Sequence, residues 1–147
     1  MPNWCYNKIE MYGDEKDLQK IKEQVETKES LFDFDTIIPT PNFDMIPNDK
    51  GELPKLRDDA LGKELGIKEF PDGSSDDRWY HWHIDNWGTK WNSSEVTVEH
   101  EGDVLNYYFD TAWSPPEPVI QKLRELYPDV SISAFYDEPG MQIAGYY

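Results

Sequence analysis

His81-Trp82-His83-Ile84-Asp85 is the string in this chain with the residue types of a metal site. Imidazole and carboxylate ligands in a His-x-His-x-Asp arrangement hold zinc when they converge on one ion. Zinc hydrolases that use such a string carry a further His after the Asp, and here that position is Asn86. On a helix, residues i and i+2 project about 200° apart, so His81 and Asp85 would share a side while His83 faces away. The chain has three His in all, which leaves a catalytic zinc short of ligands. The reading is polar residues on a Trp-bearing helix, with no metal and no cofactor. Asp72-Gly73-Ser74-Ser75-Asp76-Asp77 alternates oxygens as a calcium loop does. However, it has Asp77 where such a loop needs Gly and His83 where it needs Glu, so it reads as a solvated turn before a helix. Cys5, between Trp4 and Tyr6 in a predicted strand, reads as a buried, inert thiol.

The aromatic strings carry the remaining chemistry. Trp87, Trp91 and Trp113 are each flanked by small or turn-forming residues: Gly88-Thr89, Asn92-Ser93 and Ser114-Pro115. Gly88 permits a positive φ or a close backbone approach, and Lys90 is a cation set between two indoles. Asp110-Thr111 places a carboxylate and a hydroxyl just before Trp113. Two roles fit these residues. Structurally, the indoles pin an inserted segment onto a sheet edge while their N–H groups find local acceptors. Functionally, Trp87, Lys90, Trp91, Asp110, Trp113, Tyr136 and Glu138 would line a groove for a ligand or partner, with no catalytic residue among them.

The elements that must position them follow from periodicity. Trp4–Tyr12 reads as a central strand, and Leu18, Ile21 and Val25 form the stripe of an amphipathic helix over about 15–28, with Asp14 as its cap. Leu31–Ile38 is predicted as a second strand. Four prolines between Pro39 and Pro54 mark a loop, and Leu56–Leu65 a short helix closed by Gly66. Trp79 and Trp82 then fall at helical spacing over about 77–86. Residues 39–93 are too many for a bare loop, so they are expected to be a helical, Trp-rich insertion after the second strand, with a small aromatic core of its own. Ser94–Glu101 and Val104–Ala112 form a hairpin around Gly102-Asp103. Pro115, Pro116 and Pro118 start a helix that carries Val119, Ile120 and Leu123. Strands follow at Val130–Tyr136 and Met141–Tyr147. The order β-α-β-(insertion)-β-β-α-β-β predicts one α+β domain over 1–147, a ferredoxin-like split βαβ sandwich with an antiparallel sheet and two helices on one face.

Four segments carry a family likeness: MPNWCYNK at the start, WGTKW at Trp87–Trp91, FDTAWSPP at Phe109–Pro116 and YDEPG at Tyr136–Gly140. Together they resemble the YubB ferredoxin-like family of plasmid, phage and other mobile-element proteins. The resemblance implies a ferredoxin-like fold with an inserted helical segment, and it implies no activity.

Charge bounds the function. Fourteen Lys and Arg against thirty Asp and Glu give −16. By segment the balance is −5 over residues 1–50, −5 over 51–100 and −6 over 101–147, so the excess is spread along the fold. That excludes a generic electrostatic binder of nucleic acid or anionic membrane. The aromatic share of 14% excludes disorder. With one Cys and no apolar run of spanning length, a cytoplasmic location is the simplest expectation. The main reading is a non-enzymatic acidic protein-binding or regulatory module whose partner is a basic protein. One alternative is a nucleic-acid mimic that blocks a DNA- or RNA-binding factor. Another is a small-ligand protein or enzyme at a Trp-lined groove, with Glu138 or Asp110 as general acid or base. Base stacking on a sheet face by Tyr107, Phe109 and Phe135 is opposed by the net charge.

Overall fold

A computed structural model describes residues 2–147. The chain divides into two compact units, Met1–Pro39 with His83–Tyr147, and Thr40–Trp82. The first unit is built on strand β1 (Trp4–Tyr12) and helix α1 (Glu15–Val25). Leu18, Ile21 and Val25 are buried, as their spacing predicts. The helix stops three residues short of the expected Lys28, where the Val25 carbonyl accepts from Asp33 N at 2.7 Å and Thr27 N closes a turn on Ser30. Asp14 occupies the cap position without a side-chain cap bond.

Leu31–Ile38 is not a strand. Phe34–Thr36 is a single 3₁₀ turn, and nearby side chains take the backbone donors that a ladder would use. Ser30 Oγ accepts from Phe32 N at 3.0 Å, Asn92 Oδ1 from Phe34 N at 3.0 Å, and Asp33 Oδ1 from Asp35 N at 2.9 Å. Short polar side chains at this density outcompete strand pairing. Phe32, Phe34 and Ile37 are buried all the same, so the apolar pattern reported burial correctly and mistook the backbone.

The second strand of the split βαβ is instead β4 (Ser94–Glu101), paired with β5 (Val104–Ala112). Helix α4 (Glu117–Leu126), β6 (Ser131–Glu138) and β7 (Ile143–Tyr146) complete the unit. The sheet order is β4-β5-β1-β6-β7, with every neighbouring pair antiparallel. Thus β5 lies between β1 and β4, and β1 between β5 and β6, the interleaving of a ferredoxin-like sandwich. The long excursion accordingly follows α1 and not a second strand. Alternation sorts each strand into two faces. Cys5, Asn7, Ile9 and Met11 of β1, with Leu105, Tyr107 and Phe109 of β5, are buried on the side of α1 and α4. The Phe32 ring stacks on Phe109 at 5.0 Å and meets Tyr107 edge-on at 4.8 Å.

The Thr40–Trp82 unit carries a two-residue ribbon of β2 (Lys55–Leu56) and β3 (Lys68–Glu69), helix α2 (Ala60–Leu65) and the first turns of α3 (Arg78–Trp87). None of its Leu, Ile, Met or aromatic side chains is fully buried; the buried indole of the expected 39–93 insertion, Trp87, packs edge-on to Phe34 outside the unit. Its centre is Arg78, which pairs with Asp76 at 2.8 Å and donates to the Phe43 carbonyl at 2.9 Å. The guanidinium lies 5.1 Å from the Phe43 ring and 5.4 Å from the Phe70 ring.

Candidate binding face

The Trp-bearing strings converge at one end of the five-stranded sheet. Trp113 N donates to Asn3 O at 2.8 Å, Thr89 Oγ1 to Ala112 O at 2.8 Å, and Ser114 Oγ to Gly88 O at 2.5 Å. Gly88 has φ +79°, and a Cβ there would stand 2.8 Å from Pro118 Cδ, so both properties read from its position apply at once. Beneath them Asn7 is buried and fully engaged. Its Nδ2 donates to Cys5 O at 3.1 Å and to Thr111 Oγ1 at 2.9 Å, and its Oδ1 accepts from Tyr147 Oη at 2.9 Å. Burial and the nearby Glu138, Asp137 and Asp110 carboxylates push the Cys5 thiol up to about 11.

The seven residues singled out from sequence fall in three places: the interior and helix side, the exposed end of the sheet, and its other face. Trp87 and Glu138 are buried and line no groove. Trp87 donates from Nε1 to Ile38 O at 2.9 Å, packs edge-on to Phe34 and stacks on His83 with centroids 3.8 Å apart. Glu138 Oε2 accepts from Met141 N, while its Oε1 is buried with no hydrogen-bond partner among the described residues. Tyr136 points to the helix side, 6.0 Å from the Tyr147 ring. Trp91 and Trp113 are exposed, at 39% and 47%. The Trp91 ring has Lys90 Nζ 4.7 Å from its centroid and Trp4 at 6.3 Å. Trp113 has φ +70°, a conformation that costs a bulky residue about 1–3 kcal/mol, and the Asn3 bond holds it there.

Asp110 stands on the sheet's other face, opposite the one on which α1 and α4 pack. Tyr6 and Lys8 of β1, Tyr108 and Asp110 of β5, Phe135 and Asp137 of β6 and Tyr146 of β7 rise from it in register. Two shallow cavities of about 280 and 290 Å³ open here. The first is lined by Lys8, Glu10, Ser133, Phe135 and Tyr146, and the second centres on Tyr6, Tyr108 and Asp110. Lys8 is tied to Glu10 at 2.7 Å and sits 6.0 Å from the Tyr108 centroid. Glu95, Glu99 and Glu101 border the face from β4. A bulge between Ser94 and Thr97, with Glu95 at φ +53°, brings the Glu95 carboxylate toward Asp110. Burial first, and the Glu95 charge second, hold the Asp110 carboxyl above its usual range.

Sequence reasoning missed most of this face. Tyr107 and Phe109, named as stacking rings, lie on the buried side, whereas Phe135 lies on the open one. The missing signal is parity: in Val104–Ala112, Leu105, Tyr107 and Phe109 share one face, which leaves Asn106, Tyr108 and Asp110 on the other. The His81–Asp85 string forms no metal group, and none is found among the described residues. His83 Nδ1 lies 2.8 Å from Lys90 O, and burial keeps its pKa low.

Comparison with known proteins agrees with this architecture. Residues 86–147 match the ferredoxin-like domain of Api92-like proteins. A solved structure of protein Api92 from Yersinia pseudotuberculosis is similar over 99% of this chain and 93% of that one, with TM-score 0.60 and 13% sequence identity. At that identity the likeness concerns the fold: an α+β, ferredoxin-like domain with an antiparallel sheet and helices. No curated protein matches the chain. No helix of the described residues is long and apolar enough to cross a membrane.

Proposed function

We propose that this chain is a non-enzymatic binding module that holds a basic protein segment against the open face of its sheet. One observation carries the reading. Tyr6 and Tyr146 stand exposed, and Tyr108 and Phe135 half-buried, within a border of Glu95, Glu99, Glu101, Asp110 and Asp137, and Lys8 among them is already paired with Glu10. Exposed aromatics inside a charged rim are the composition of a recognition surface, and the sign of the rim selects the partner. Trp91, Lys90 and Trp113 extend the surface at the sheet end, while Trp87, Tyr136 and Glu138 stiffen it from below. The kinship to YubB-type mobile-element proteins, implied by the four motif strings, belongs to the same proposal.

The test is a titration of isotope-labelled protein with an oligo-lysine peptide, followed by NMR at low and high salt. Shifts confined to open-face residues and weakened by salt are expected. Shifts confined to the helix side, or an affinity that ignores salt, overturn the reading. A nucleic-acid mimic has one observation in its favour, the acidic row Glu95, Glu99 and Glu101 along an edge strand. It predicts that the chain displaces DNA from a basic DNA-binding protein, with loss of that competition when Glu99 and Glu101 become Gln.

A further inference from the structure

The open face is not uniform in how its charges are satisfied. Around Tyr108, Lys8 already supplies a cation, and Glu10 neutralises it at 2.7 Å. Around Tyr6 the situation is reversed. The register places Asp110 directly opposite Tyr6 on β5 and Asp137 directly opposite it on β6, so the phenol ring stands between two carboxylates. Glu95 lines the same cavity of about 290 Å³, as does Lys8, whose charge Glu10 already neutralises. None of these three carboxylates has an ion pair or hydrogen bond among the described residues. Tyr6 itself is 50% exposed.

We infer that this part of the face is the seat of an arginine side chain from the protein partner, its guanidinium lying on the Tyr6 ring and donating to Asp110 and Asp137. The inference rests on the proposed binding function and narrows its partner class. Charge complementarity sets the sign of the occupant. A polyanion is repelled, and a second copy of this chain would bring the same acidic face against itself. The ring sets the shape. A planar, weakly hydrated guanidinium stacks on an aromatic face and forks toward carboxylates on either side, which a compact ammonium cannot do at once. The Asp110 carboxyl, held up by burial and by Glu95, regains its ordinary acidity when a cation arrives.

Acetylated Gly-Arg-Gly, Gly-Lys-Gly and Gly-citrulline-Gly peptides, titrated into the labelled protein, provide the test. Expected are shifts centred on Tyr6, Asp110 and Asp137, stronger for arginine than for lysine and absent for the uncharged citrulline isostere. The Asp110 pKa, read from its carboxyl resonance, should fall as the arginine peptide saturates. Asp110→Asn and Tyr6→Leu should each weaken the arginine peptide roughly tenfold, about 1.4 kcal/mol. Unchanged dispersion of the core resonances confirms that each variant is folded. Equal responses to arginine and lysine, or indifference to either substitution, overturn the arginine seat while leaving the binding face standing if oligo-lysine still reports there. Silence of the face toward all the peptides overturns both. Concentration-dependent broadening of the same resonances without peptide assigns the face to a second copy and also overturns the inference.

Discussion

Cys5 and His83 show how burial decides what a reactive residue type does. A thiol with its pKa near 11 is about one part in a thousand thiolate at pH 8, and the thiolate is the species that reacts. Native protein at pH 8 should therefore resist iodoacetamide, and unfolded protein should be alkylated completely. Fast labelling of the folded chain, read by mass spectrometry, would contradict the buried environment. His83 lies flat on Trp87 and is kept neutral because its charged form loses hydration. Its folded pKa is depressed, so its contribution is complete above the unfolded value of about 6.5 and is lost as pH falls through the folded one. A urea titration between pH 7 and pH 5 should show that loss in the first unit, and His83→Phe should remove it. These residues were legible in sequence only as types. That Cys5 is inert follows from its place in a strand, but that Trp87 and Glu138 belong to the interior follows from contacts with Ile38 and Met141, which spacing does not encode.

At the scale of elements, regular periodicity was read well and side-chain-driven turns were not. The strands β1, β4 and β5 and the helix stripes of α1 and α4 fall where alternation and the 3.6-residue period place them. Leu31–Ile38 failed because Ser30, Asp33 and Asn92 replace a ladder with local bonds, and Asn92 is 58 residues from the amide it satisfies. The same limit hid the role of Arg78, which organises the Thr40–Trp82 unit through Asp76, the Phe43 carbonyl and two rings. A lysine there loses the planar fork and the stacking together. Arg78→Lys should cost that unit about 1–3 kcal/mol, seen as faster amide exchange around Asp76 and Lys68 with the β1 and β5 amides unchanged. Unchanged exchange around Asp76 and Lys68 would show that Arg78 is dispensable. The Arg78 bond and charge hold the Asp76 carboxyl below its ordinary value, so this contribution is present above about pH 3.8 and disappears as pH falls through the lowered folded pKa. The bulge on β4 gives the opposite sign. Glu95 adopts a positive φ beside Asp110, so Glu95→Gly relieves both strain and like-charge contact. It should stabilise the fold by about 1 kcal/mol in denaturant unfolding. Destabilisation would mean that the Glu95 side chain is needed for the bulge itself.

Over the whole molecule, one charge distribution acts on folding and on binding with opposite signs. The balance of −5, −5 and −6 along the chain means that folding gathers like charges from every segment, a self-repulsion that opposes the compact state. In the proposed function the same carboxylates around the open face attract a cationic partner. Added salt screens both interactions, with a Debye length that falls from about 30 Å at 0.01 M to about 3 Å at 1 M. Raising sodium chloride across that range should raise the thermal midpoint by several degrees, since about 1 kcal/mol corresponds to about 4–8 °C in a small domain. Over the same range, affinity for an oligo-lysine peptide should fall by at least about tenfold. Neutralising Asp110, Asp137 and Glu95 together separates the two effects. The salt response of stability should persist, because most of the net charge remains elsewhere, whereas the salt response of binding should largely vanish if the contact is concentrated at Tyr6. If the triple variant kept its full salt-sensitive affinity, the attraction would belong to the molecule's overall field and not to that face.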